Sequence, residues 1–191
     1  EKCGLQLTAS GALPPGTNFY GKPAQRKAAE RYTRDLIRVV AELGAKVVCG
    51  PLYKAVGDDD MSLPLKQQRA LTARAMKPLA QEAEERGVVL AFEPLNRFES
   101  NFMNTAEQGI AFCNAVGVRS AQLLLDAFHM HIEEKDSAAA IRTAATAGRL
   151  GHFHAAENDR GVAGTGQVHW SELAGAIRDS GYDAWTILET F

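Results

Sequence analysis

The chain has little sulfur chemistry to offer. It holds three cysteines in 191 residues (Cys3, Cys49 and Cys113), an odd number with no Cys-x-x-Cys spacing. They read as buried thiols in a reducing compartment, with cytoplasm as the expected location. No apolar run reaches membrane-span length, and no signal peptide is recognisable, so no membrane partner is expected. Nor is there an excess of positive charge. The formal net charge is -2, which argues against nucleic acid or an anionic membrane as the main partner. What remains is an ordinary globular composition, 46% apolar and 23% charged, in a chain long enough for a sizeable core.

Short apolar runs alternate with longer stretches of helical periodicity. Strands are expected at Gly4–Thr8, Lys46–Cys49, Val88–Glu93, Ala121–Asp126, Leu150–His154 and Trp185–Glu189. Between them, Arg26–Leu43 sets Tyr32, Leu36, Val40 and Leu43 on one stripe, with Gly44 as a stop. Pro64 suits the first turn of a second helix, whose stripe includes Leu71, Met76, Leu79 and Ala83. Thr105-x-x-Gln108 has the form of a capping box for a third helix. Asp136 or Ser137 can cap a fourth, and Trp170–Ser180 is the fifth. Strand starts recur roughly every 30 to 40 residues, the repeat of βα units. No linker interrupts it, so residues 1–191 read as one domain. Nearly continuous apolar strands suit a parallel sheet covered on both faces, either doubly wound or barrel-shaped.

The strand ends decide between those two. Four successive runs finish on Glu93, Asp126, His154 and Glu189, each able to bind a hard or borderline cation. Three carboxylates and an imidazole suit Mn, Mg, Co or Zn, and the absence of thiolates disfavours a purely soft metal. In a barrel such ends converge on one face, whereas in an open sheet they spread along a line. Taken alone, each has a structural explanation. Asp126 could be a helix cap, and a strand histidine is more often a satisfied core residue than a ligand. His152 and His154 share one side of their strand, so one can serve as packing.

The surrounding motifs are specific. Phe92-Glu93-Pro-Leu-Asn-Arg-Phe-Glu99, Leu-Asp126-Ala-Phe-His129-Met and Gly-His-Phe-His154-Ala-Ala-Glu157-Asn-Asp-Arg160 resemble the ketose 3-epimerases of the D-tagatose/D-psicose group. These belong to the xylose-isomerase-like (β/α)8 superfamily. Ile-Leu-Glu189-Thr-Phe resembles that family's final strand, and the similarity runs from about Gly87 to the C-terminus. The resemblance implies a divalent metal, with Mn, Co or Mg foremost, held by Glu93, Asp126, His154 and Glu189. It implies substrate contacts from Glu99, His129 and Arg160, a small-molecule sugar as partner, and a homodimer or homotetramer. Glu93 and Glu189 are expected as the acid/base pair that inverts C3 of a ketose. Ala127 and His131 stand where the family is expected to carry Thr and Asn, which bears on substrate preference more than on chemistry.

Three other readings remain. An aldose–ketose or hydroxypyruvate isomerase would use the same barrel. A zinc phosphodiesterase resembling endonuclease IV would need histidines from earlier strands, which Leu-Thr8-Ala-Ser and Val-Cys49-Gly-Pro do not supply. A sugar-binding module without turnover is the third. Six strands rather than eight are visible, and a (β/α)8 barrel typically takes about 250 residues. The expected architecture is therefore a TIM barrel lacking its first two βα units and last helix. Tyr53 and the Gly57-Asp-Asp-Asp60 loop are further pocket candidates, although an acidic run of this kind more commonly serves to solvate a loop.

Overall fold

A computed structural model describes residues 4–58 and 61–191. Cys3, Asp59 and Asp60 therefore lie outside the described residues. Strands β1 (Ala9–Ser10), β2 (Val47–Gly50), β3 (Val89–Phe92), β4 (Ala121–Asp126), β5 (Leu150–His154) and β6 (Thr186–Ile187) form one sheet. Its order follows the chain, β1 to β6, and every neighbouring pair is parallel. A doubly wound sheet reverses its strand order near the middle. This one does not, and it curls into a half-barrel.

Six helices connect the strands: α1 (Pro23–Glu42), α2 (Leu65–Glu85), α3 (Ala106–Val116), α4 (Ala127–Glu133), α5 (Ser137–Thr146) and α6 (Trp170–Asp179). Pro23 opens α1, where a missing N–H costs nothing. Pro64 sits just before α2 as its cap residue. Thr105 caps α3 by accepting from the Gln108 backbone N–H at 3.3 Å. The reciprocal half of the expected box is displaced by one residue, because the Gln108 side chain takes the Asn104 N–H instead. Asp136, not Ser137, caps α5.

Three expectations need correction. Gly4–Thr8 is not a strand; pairing begins at Ala9, where β1 meets Val48 and Cys49 of β2. On α1, Val40 is buried and Tyr32 and Leu36 pack half-buried against the core as expected, but Leu43 is exposed, and Ala29, Thr33 and Ile37 complete the buried face. Leu43 is the C-cap residue, just past the last helical turn. Helix α4 went unread, since it starts directly after β4 with no intervening turn signal.

Alternation along the strands sorts residues to two faces. Val48, Leu90, Phe92, Leu123, Leu125 and Phe153 pack outward under the helices in the main core. Val47, Cys49, Val89, Ala91 and Leu124 form a separate cluster on the inner face. Glu93, Asp126 and His154 continue the inner series by the same period of two. One irregularity matters to the site. Leu123 pairs with Leu150, but Leu124 pairs with His152, so Gly151 is bulged out. The shift brings His154, rather than the outward-facing Phe153, opposite Asp126. A one-residue slip in a strand exchanges its faces, and this bulge sets which face the histidines occupy.

Candidate metal centre and active site

Glu93, Asp126, His154 and Glu189 offer ligand atoms that all lie within 4.8 Å of one another. Glu93, Asp126 and His154 are buried, and the Glu189 side chain is 28% exposed. Asp126 is a helix cap with one oxygen to spare. Its Oδ1 accepts the Phe128 N–H at 2.7 Å and caps α4, while its Oδ2 is buried with no hydrogen-bond partner. His154 Nδ1 is likewise buried and unpartnered, 3.5 Å from both Asp126 Oδ2 and Glu189 Oε2. Those separations permit Coulombic attraction but do not meet hydrogen-bond geometry. Buried polar atoms are normally paired, so two orphaned lone-pair donors facing one point fit a divalent cation.

The electrostatics of the cluster follow from crowding. Burial, reinforced by Asp126, pushes the Glu93 carboxyl well above the usual range. Contact with His154 outweighs burial at Glu189 and pulls it down to about 2. Burial disfavours the charged form of His154, but Asp126, Cys49 and Glu189 together hold it up to about 12. Three carboxyl groups thus gather around one imidazole, and a cation would supply the positive charge the set lacks.

The three expected substrate contacts reach the same place. Arg160 Nη2 lies 3.0 Å from Glu99 Oε1, and its Nη1 lies 3.6 Å from Glu189 Oε2. The guanidinium is stacked over the Phe128 ring at 4.2 Å and the Phe191 ring at 4.9 Å. His129 Nδ1 accepts the Asn96 backbone N–H at 3.0 Å, which leaves Nε2 as the protonated nitrogen, 3.5 Å from Glu93 Oε1. Burial lowers the His129 pKa, so it is a neutral, fixed donor. A cleft of about 230 Å³ is lined by Glu93, Glu99, His129, Arg160 and Glu189 together with Ser10, Gly11, Ala12, Pro51, Val56 and Leu95. Five of the seven anticipated site residues therefore share one opening.

Tyr53 does not line that cleft. It is fully buried, stacked on Phe102 at 4.6 Å, and its hydroxyl donates to the Glu93 carbonyl at 2.7 Å. Sequence reasoning missed three supporting groups. Asn96 joins two site residues, since its Nδ2 donates to Glu99 Oε1 at 2.9 Å and its backbone N–H to His129. Glu157 is fully buried and accepts from Trp170 Nε1 and from the N–H groups of Val168, Gly164 and Asn158. It therefore ties down the loop carrying Arg160, which holds a left-handed φ of 61°. Cys49 touches His154. Asn96 and Glu157 lie inside the quoted motifs, so their placement between ligand and contact residues was the available signal; Cys49 had none.

A family model described as a xylose isomerase-like TIM barrel matches residues 1–191. The chain belongs to that family. Within it, the chain is 36% identical to a D-psicose 3-epimerase of Enterocloster bolteae over 98% of its own length and 62% of the relative's. It is also 36% identical to an L-ribulose 3-epimerase of Mesorhizobium japonicum, covering 98% of this chain and 63% of the relative. The solved D-psicose 3-epimerase with D-tagatose from Clostridium cellulolyticum H10 superposes with a TM-score of 0.92 at 33% identity. That match covers 98% of this chain and 65% of the solved one. This family member thus spans less than two-thirds of the length of these relatives. The resemblance read from the motifs and the barrel read from the strand ends agree with these matches. No helix among the described residues is long and apolar enough to cross a membrane.

Proposed function

We propose that this chain carries the proton-transfer centre of a metal-dependent ketose 3-epimerase acting on a free ketose. One observation bears most of the weight: two glutamates, an aspartate and a histidine converge within 4.8 Å beside a cleft rimmed by Arg160, Glu99 and His129. The relatives named D-psicose and L-ribulose 3-epimerases act, by their names, at C3 of ketoses.

Glu93, Asp126, His154 and Glu189 would hold the cation, with Mn, Co or Mg preferred and Zn tolerated. When bound, a divalent cation there would polarise the substrate carbonyl and offset charge developing on neighbouring oxygens. The protein's own groups then divide the remaining work. Glu189 Oε2 accepts the C3 proton of the sugar as general base. Glu93 returns a proton to the opposite face and inverts the centre. For the other epimer the roles exchange. His129 Nε2–H and the Arg160 fork donate to sugar hydroxyls, and the Phe128 and Phe191 rings hold that fork planar to the cleft.

The decisive experiment is proton exchange at C3 in deuterated water, followed by NMR with a panel of ketohexoses and ketopentoses. Glu189→Gln should abolish exchange while circular dichroism stays native. Retained exchange in that variant would sink the assignment. Exchange that moves a proton between C1 and C2, with C3 untouched, would point instead to an aldose–ketose isomerase.

A further inference from the structure

Behind the candidate metal centre, on the side of His154 away from the carboxylates, lies the buried thiol of Cys49. Its Sγ is 3.7 Å from His154 Nε2 and 3.4 Å from the Ala9 carbonyl oxygen. A carbonyl can only accept, and a thiol has one hydrogen. The S–H is therefore committed to Ala9, and the sulfur is left as the acceptor for an Nε2–H on His154. With that proton in place, Nδ1 is the nitrogen left for a cation to deprotonate and bind, and it faces Asp126 Oδ2 and Glu189 Oε2 at 3.5 Å without a hydrogen-bond partner.

From this geometry we infer that Cys49 is a positioning residue. It fixes the His154 tautomer so that Nδ1 is presented to the cation, and it holds the ring plane through a relay running Ala9 C=O, Cys49 S–H, His154 Nε2–H. Partners on the far nitrogen of a metal-bound histidine commonly act this way, although they are usually oxygen acceptors. Three strands take part, since Ala9 lies in β1, Cys49 in β2 and His154 in β5. His152 is the only other imidazole in the group, and neither of its nitrogens makes a hydrogen bond, which leaves Cys49 Sγ as the partner of Nε2.

The inference rests on the metal-site reading above, and the test separates the two. Mn²⁺ affinity of the whole chain is measured by calorimetry for wild type, Cys49→Ala, Cys49→Ser and His154→Ala. Cys49→Ala should weaken binding about 10- to 100-fold, and Cys49→Ser, which retains one donor and an acceptor, should recover most of it. Equal affinities for wild type and Cys49→Ala, or a Ser variant no better than Ala, would overturn the relay. If wild type binds no Mn²⁺, the metal site itself fails, whatever Cys49 does. Two measurements need no variant. In Zn²⁺-loaded protein with ¹⁵N-labelled histidine, His154 should show Nε2–H and a metal-bound Nδ1, and the reverse pattern refutes the inference. In Co²⁺-loaded protein, a thiolate-to-cobalt charge-transfer band would make Cys49 a direct ligand and refute it equally.

Discussion

Glu93 and Glu189 stand at the ends of β3 and beyond β6, with two strands between them, yet their carboxylate oxygens come within 4.8 Å. In a flat sheet, three strand spacings of ~4.8 Å would separate their backbones by about 14 Å. Curling of the sheet and the inward reach of both side chains close that gap. The closeness of the two carboxyl groups is therefore a product of sheet curvature, and anything that flattens the sheet should separate them.

Gly50 tests that dependence. It ends β2 with a φ of 124°, a conformation reserved for glycine, and a Cβ there would run into the Gly11 backbone carbonyl. Gly50→Ala should destabilise the fold by roughly 3 kcal/mol by forcing β1 away from β2. Urea denaturation measures this. An unchanged midpoint would mean that β1 is not held by this approach.

Asp126→Asn addresses the metal centre without disturbing the helix cap, because an Asn oxygen can still accept the Phe128 N–H. Mn²⁺ affinity should fall by more than about 100-fold, beyond the loss expected from a supporting residue. The melting temperature without metal should change little, since Asp126 crowds Glu93 with like charge but also attracts His154. Calorimetry and thermal melts with and without Mn²⁺ check both halves.

Arg160→Lys keeps the charge but loses the planar fork that reaches Glu99 and Glu189 and stacks on Phe128. The KM for the preferred ketose should rise about tenfold, equivalent to ~1.4 kcal/mol. Turnover should fall far less than in Glu189→Gln. Equal losses of kcat in the two variants would place Arg160 in the chemical step rather than in binding.

Glu157 gives a pH signature. Burial opposes its ionisation, but the Trp170 indole and three backbone N–H groups hold the carboxyl down to about 2. An unfolded glutamate titrates near ~4.3, so its contribution is complete above that pH and is lost as pH falls through about 2. Glu157→Gln should lower the melting temperature at neutral pH. The gap to wild type should shrink steadily as pH drops below about 4. A gap independent of pH would show that the loop is held by packing alone.

Much of this was legible because strands and helices have fixed periods. Ala121–Asp126 and Leu150–His154 match their predicted bounds, since an unbroken apolar run ending on a polar residue marks both the strand and its limit. β1 was misplaced because Gly4–Thr8 has strand-like composition but no neighbour to pair with, while Ala9 and Ser10 are drawn in by Val48 and Cys49. Helix α4 escaped notice because Asp126 closes a strand and caps a helix at once, leaving no loop to read.

The sequence by itself determined the alternation of strands and helices and the ligand-type residue at each of four strand ends, because periodicity is a local property. Only the tertiary structure decided how those ends meet. The Gly151 bulge turns His154 towards Asp126, the curl joins Glu93 to Glu189, and the approach of β1 and β2 to β5 chooses which His154 nitrogen is free. Each depends on backbone segments distant in sequence coming together, and no local pattern encodes that distance.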